Sequence, residues 1–96
     1  MRTDRTCYVI AYDISDDRRR KRVHQVLSGF GTWTQFSLFE CFLTGSEHAR
    51  LERKLRKRIN IEQGDRVRIY TLCANCVNKI ETIGGTPPQE EVVLIV

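Results

Sequence analysis

Asp13 closes the apolar run Cys7 to Tyr12 and stands just ahead of Ser15, Asp16 and Asp17, after which come Arg18, Arg19, Arg20, Lys21 and Arg22. An oxygen-rich cluster of this kind can hold Mg²⁺, a hard cation that prefers carboxylate oxygens and keeps several waters. The cationic run beside it would hold a phosphodiester for metal-assisted attack by water. A plainer alternative makes Asp16 and Asp17 first-turn helix charges and Asp13 a turn residue. One strand-end carboxylate is a poor metal site by itself. Two copies of Asp13 facing each other across a two-fold axis would share one ion, and catalysis would then belong to a dimer.

The elements that must position Asp13 can be read from periodicity. CYVIAY, residues 7–12, has β-rich composition and apolar residues on both faces, Val9 and Ala11 on one and Tyr8, Ile10 and Tyr12 on the other. Such a strand belongs in a sheet covered on both sides. Val23, Val26, Leu27 and Phe30 recur at helical spacing, which predicts a helix from Asp16 with Ser15 as N-cap and Gly29 and Gly31 as the stop. Gly31 to Gly45 has room for two short strands bent near Gln35 to Ser37, with Trp33, Phe36, Phe39 and Phe42 read as core. Thr44 and Glu47 have capping-box spacing, and Leu51, Leu55 and Ile59 then mark a second amphipathic helix that closes by Gly64. Arg66 to Leu72 reads as the next strand, and Val77 to Ile83 as a weaker strand ahead of a Gly-Gly-Thr-Pro-Pro turn.

The order β, α, β, β, α, β predicts an α+β, ferredoxin-like sandwich with both helices on one face of an antiparallel sheet. The other face then lacks cover. The simplest resolution is a homodimer whose sheets meet face to face, with residues 81–96 as an extension that packs on the partner subunit. Within it the apolar run Val92 to Val96 would add as an edge strand or pack against the neighbour.

The chain has 96 residues, room for one small domain over residues 1–96, and its 41% hydrophobic and 29% charged residues argue against wholesale disorder. The net charge is +4. Arg18 to Arg22 in the first helix and Arg50, Arg53, Lys54, Arg56, Lys57 and Arg58 in the second concentrate positive charge where only Asp16, Asp17, Glu47 and Glu52 oppose it. A basic helix surface suits nucleic acid, although a solvated helix face has the same composition. No run is long and apolar enough for a membrane span, and the N-terminal residues lack a signal-peptide pattern, so a cytoplasmic protein is expected.

In that compartment the cysteines read as reduced thiols, Cys7 and Cys41 as buried small hydrophobes. Cys73 and Cys76 make a CxxC that would be half a zinc site, but no second pair stands at a useful spacing. His24 and His48 have no partner at metal or triad spacing and are read as solvated. No P-loop, GxSxG or GxGxxG is present, nor the stacked aromatics of an RNA-recognition motif.

The run Tyr12-Asp13-Ile14-Ser15-Asp16-Asp17 with its basic continuation to Val23, followed by Gln35-Phe36-Ser37-Leu38-Phe39-Glu40, resembles the CRISPR-associated Cas-two proteins, small dimeric partners of the CRISPR integrase in spacer acquisition. The likeness runs from the first strand through Leu72. It implies a ferredoxin-like homodimer and, for many members, Mg²⁺-dependent endonuclease activity on single-stranded RNA or double-stranded DNA. It also implies that Asp13 is the metal-binding and catalytic carboxylate, with one ion between its two copies. Tyr12, Arg20, Arg22 and Phe39 match positions that affect cleavage in the family, through positioning and phosphate neutralisation. Where family members can carry a basic residue at the start of the second strand, this chain has Trp33. A competing role is a non-catalytic scaffold that spans integrase dimers and lays its basic helices on duplex DNA. A generic RNA-binding module is a third.

Overall fold

The structure is a computed structural model and describes residues 4–89. Its elements are β1 (Thr6–Asp13), α1 (Asp17–Ser28), β2 (Thr32–Gln35), β3 (Leu38–Leu43), α2 (Gly45–Arg56), a 3₁₀ turn (Ile61–Gln63), β4 (Arg66–Leu72) and α3 (Ala74–Val77). The sheet order is β2-β3-β1-β4, with every neighbouring pair antiparallel. This is the ferredoxin-like arrangement expected from the element order.

Alternation along β1 sends Tyr8, Ile10 and Tyr12 toward the helices, where they join Val23, Leu27 and Phe30 of the α1 region, Phe39, Cys41 and Leu43 of β3, and Leu51 and Leu55 of α2 in one buried cluster. Full burial of one such large apolar side chain contributes about 1.5–3 kcal/mol. Val9, Ala11 and Asp13 lie on the opposite face, beside Leu38 and Glu40 of β3 and Arg66, Arg68 and Tyr70 of β4. Val9 and Ala11 are half-buried there, and Tyr70 is 48% exposed. Gly31 lets the chain pass close to β3, because a Cβ at that position would collide with the Cys41 thiol and the Glu40 carbonyl.

Several local expectations are corrected. Asp16, not Ser15, caps α1: its carboxylate accepts from the Arg19 backbone N–H at 2.9 Å. The capping box at Thr44 and Glu47 is present, but α2 ends at Arg56, and Ile59 packs on the core from beyond its end. Residues 77–83 form no strand, because the short helix α3 follows β4 directly and packs on β1 and β4. Trp33 and Phe36 are not core, at 53% and 86% exposed, whereas Phe39 and Phe42 are buried as expected. The apolar run 92–96 lies outside the described residues. Among the described residues no helix is long and apolar enough to cross a membrane.

Candidate nucleic-acid and metal site at the end of the first strand

Asp13 is the last residue of β1, and Arg66, the first of β4, is its cross-strand partner. Paired residues project to the same face, so Arg66 Nη2 reaches Asp13 Oδ2 at 3.0 Å while both side chains stay exposed. The register is held from behind. Asp65 is buried at 2% exposure, and its carboxylate accepts from Arg19 Nε at 2.7 Å, Arg19 Nη2 at 3.2 Å and the Asn60 backbone N–H at 2.8 Å. The Arg19 hydrogen bonds hold the Asp65 carboxyl below its usual range, with the Asn60 amide acting in the same direction and burial opposing them. One ion pair thereby ties the first turn of α1 to the entry of β4, beside Asp13.

Arg20 turns back onto the β1–α1 loop, donating from Nη1 to the Ile14 and Ser15 carbonyls at 3.1 and 3.4 Å and from Nη2 to the Asp17 carboxylate. Arg19 and Arg20 are therefore engaged in building the loop that follows Asp13, and Arg18, Lys21 and Arg22 are the exposed cations of this run. Arg22 shares a groove between the helices with Lys54 and Arg58, floored by Val26 and Phe30. Lys54 Nζ sits 5.7 Å from the Phe30 ring centroid, a cation–π contact that fixes its position. Arg53 and Lys57 are exposed and Arg50 half-buried on the same helical layer.

The structure does not bring Tyr12 and Phe39 to Asp13. Strand alternation turns Tyr12 to the helix side, where it is buried and its phenol OH lies 3.2 Å from His24 Nδ1. Burial pushes the Tyr12 phenol above its usual range. Phe39 is fully buried, with the His24 ring edge-on at 5.0 Å and Tyr12 at 6.3 Å. Both rings thus lie on the helix side of the sheet, away from the face that carries Asp13.

The reading of both histidines as solvated is corrected as well: both are half-buried, His24 against Tyr12, Trp33 and Phe39, and His48 stacked on Tyr8 at 4.5 Å. Sequence reasoning also missed Arg66, Arg68 and Asp65, whose partners are distant in the chain. Asp13 opposite a strand-opening arginine was the available signal. On the same sheet face burial raises the pKa of Glu40, so a carboxylate there is costly to keep charged.

A groove of about 550 Å³ runs along β4, the edge strand among the described residues, lined by apolar Leu55, Ile59, Val67 and Ile69 and by charged Asp13, Arg56, Arg66 and Arg68. Among the described residues no three His, Cys, Asp or Glu side chains gather closely enough to hold a metal ion.

Residues 6–80 match the family model described as CRISPR associated protein Cas2. The chain belongs to the CRISPR-associated Cas2 family. It is 47% identical over 83 residues to the CRISPR-associated endoribonuclease Cas2 1 of Chloroflexus aurantiacus, covering 86% of this chain and 89% of that one. Among solved structures it superposes on the hypothetical protein TT1823 of Thermus thermophilus with a TM-score of 0.75 at 34% identity, covering 88% and 99% of the two chains. A chain in a partial Cas6-RT-Cas1–Cas2 complex matches with a TM-score of 0.69 at 27% identity, over 85% and 94% of the two chains.

Proposed function

We propose that two copies of this chain form a cytoplasmic homodimer that hydrolyses phosphodiester bonds of RNA or double-stranded DNA with Mg²⁺, and that it works with the CRISPR integrase in spacer acquisition. The carrying observation is the placement of Asp13. It is an exposed strand-end carboxylate on the sheet face opposite α1 and α2, next to the half-buried Val9 and Ala11. Pairing two such faces buries those apolar residues and can bring the carboxylates together. The extension 81–96 is proposed to pack on the partner, along the edge and apolar groove of β4. The Chloroflexus relative, named an endoribonuclease, supports the hydrolytic reading.

The donor set of one chain is incomplete for a metal, and a second copy of Asp13 brought opposite the first would complete it. Asp13 commits Oδ2 to Arg66 and leaves Oδ1 available. Mg²⁺ is commonly held by one or two carboxylates with water filling the remaining positions. The Asp13 pair would hold the ion, which when bound supplies Lewis-acid polarisation of a phosphoryl oxygen. The protein's own part is positional. Arg68 lies on the same face as the carboxylate and can neutralise phosphate, Arg20 fixes the loop after Asp13, and the Arg19–Asp65 pair holds β4 in register.

A second reading, a non-catalytic scaffold of the integrase complex, is favoured by the Asp13–Arg66 pair, which neutralises the carboxylate, and by the match to a chain of a Cas1–Cas2 assembly. Asp13→Ala separates the two. Loss of Mg²⁺-dependent cleavage together with loss of spacer acquisition supports hydrolysis as the working function, and loss of cleavage with acquisition intact supports the scaffold.

A further inference from the structure

Cys73 and Cys76 flank the start of α3 as an exposed pair, with their sulfurs 3.4 Å apart. A disulfide sets its sulfurs about 2.05 Å apart, so ring closure here requires only a small movement of two surface side chains. We propose that this pair is a thiol–disulfide redox site that exchanges with low-molecular-weight disulfides of the glutathione type. Cys73 is the attacking sulfur and Cys76 the resolving one.

The assignment of roles follows from the surroundings. Interaction with Cys76 draws the Cys73 thiol below its ordinary pKa, and the neighbouring Cys73 sulfur holds that of Cys76 up. That asymmetry favours Cys73 as the attacking sulfur. The other two cysteines make the contrast. Cys7 and Cys41 are buried, and desolvation raises their thiols to about 11 and about 12, which leaves them protonated and closed to reagent. A metal reading of the CxxC lacks further ligands, since no third His, Cys, Asp or Glu gathers with the pair among the described residues.

The exchange balances in two steps. Cys73 thiolate attacks one sulfur of RS–SR, forming Cys73–S–SR and releasing RS⁻, which takes up the proton lost by Cys73. Cys76 then gives up its proton and attacks Cys73 Sγ, forming the Cys73–Cys76 bond and releasing the second RS⁻ as RSH. Two protein thiols are oxidised by two electrons while one small disulfide is reduced to two thiols. Disulfides in reducing compartments are usually transient and regulatory. Closure would fix the first turn of α3, which packs on β1 and β4.

The test equilibrates the full chain with reduced and oxidised glutathione over a range of ratios at neutral pH, quenches with acid, alkylates free thiols and digests with trypsin. Both cysteines fall in the fragment 69–79, and Cys7 and Cys41 fall outside it. The expected result is a fragment two hydrogens lighter that appears reversibly in one two-electron transition, while Cys7 and Cys41 stay reduced. In Cys76→Ser the glutathione adduct on Cys73 should persist, and in Cys73→Ser adduct formation should slow by about tenfold or more. Separate glutathione adducts on both sulfurs, a disulfide joining two chains, or no oxidation at any ratio would overturn the proposal. Purified protein carrying zinc that shields both thiols from alkylation would overturn it too, in favour of a metal site shared between copies.

Discussion

Arg66 Nη2 donates to Asp13 Oδ2 at 3.0 Å across the β1–β4 pair, between side chains that are 77% and 73% exposed. Exposed pairs of this kind contribute little to stability. Arg66 therefore acts on the chemistry of Asp13 more than on the fold. Replacing it with Ala should leave the melting temperature nearly unchanged while freeing the carboxylate. Half-maximal cleavage should then need roughly twofold to fivefold less Mg²⁺, the reach of a screened surface pair. A metal titration of cleavage checks this, and a higher requirement would mean that Arg66 serves the site by holding substrate.

Phe39 and Tyr12 separate packing from chemistry. Phe39 is fully buried, and truncating a core Phe to Ala costs about 3–5 kcal/mol, a large share of the stability of a chain this size. Phe39→Ala should lose cleavage because it unfolds, and urea denaturation will show it. Tyr12→Phe keeps the ring and removes only the hydroxyl near His24, so stability should fall by about 1 kcal/mol while cleavage per folded molecule stays close to that of the parent.

Asp65 makes stability acid-sensitive in a defined direction. Its folded pKa lies below its unfolded value, because Arg19 bonds the charged form. Its contribution is fully present above the unfolded carboxyl pKa of about 4 and is lost as pH falls through the lower folded value. Asp65→Asn should lower the melting temperature at neutral pH by roughly 10 °C or more. The gap between parent and variant should narrow as the pH is taken well below about 4. Thermal melts across that range provide the check.

The groove of Arg22, Lys54 and Arg58 is where phosphate contact can be counted. Each phosphate neutralised adds about 0.7–0.9 to the slope of log affinity against log salt. Substituting all three with Ala should flatten the slope by about 2 to 3 units. An unchanged slope would place the nucleic acid elsewhere.

Much of this arrangement is legible in the sequence because it is local. Alternation in β1, helical spacing from Val23 to Phe30 and the Thr44–Glu47 capping box each declare themselves within a few residues. Asp16 and Ser15 are both competent caps, and only the hydrogen bond to the Arg19 amide decides between them. Arg19 reads as one of five cations, yet its partner Asp65 is 46 residues away. A similar separation hides Arg66 from Asp13. Trp33 and Phe36 look like core by type, but β2 is a short edge strand, and the hairpin tip carries both into solvent.

The account depends on two Asp13 carboxylates acting together, and subunit mixing tests that most directly. Parent chain and Asp13→Ala chain are exchanged at varying ratios and constant total concentration, and Mg²⁺-dependent cleavage is measured. If each centre needs both carboxylates, activity falls as the square of the parent fraction. A linear fall would show that one Asp13 suffices, and the shared centre would have to be abandoned.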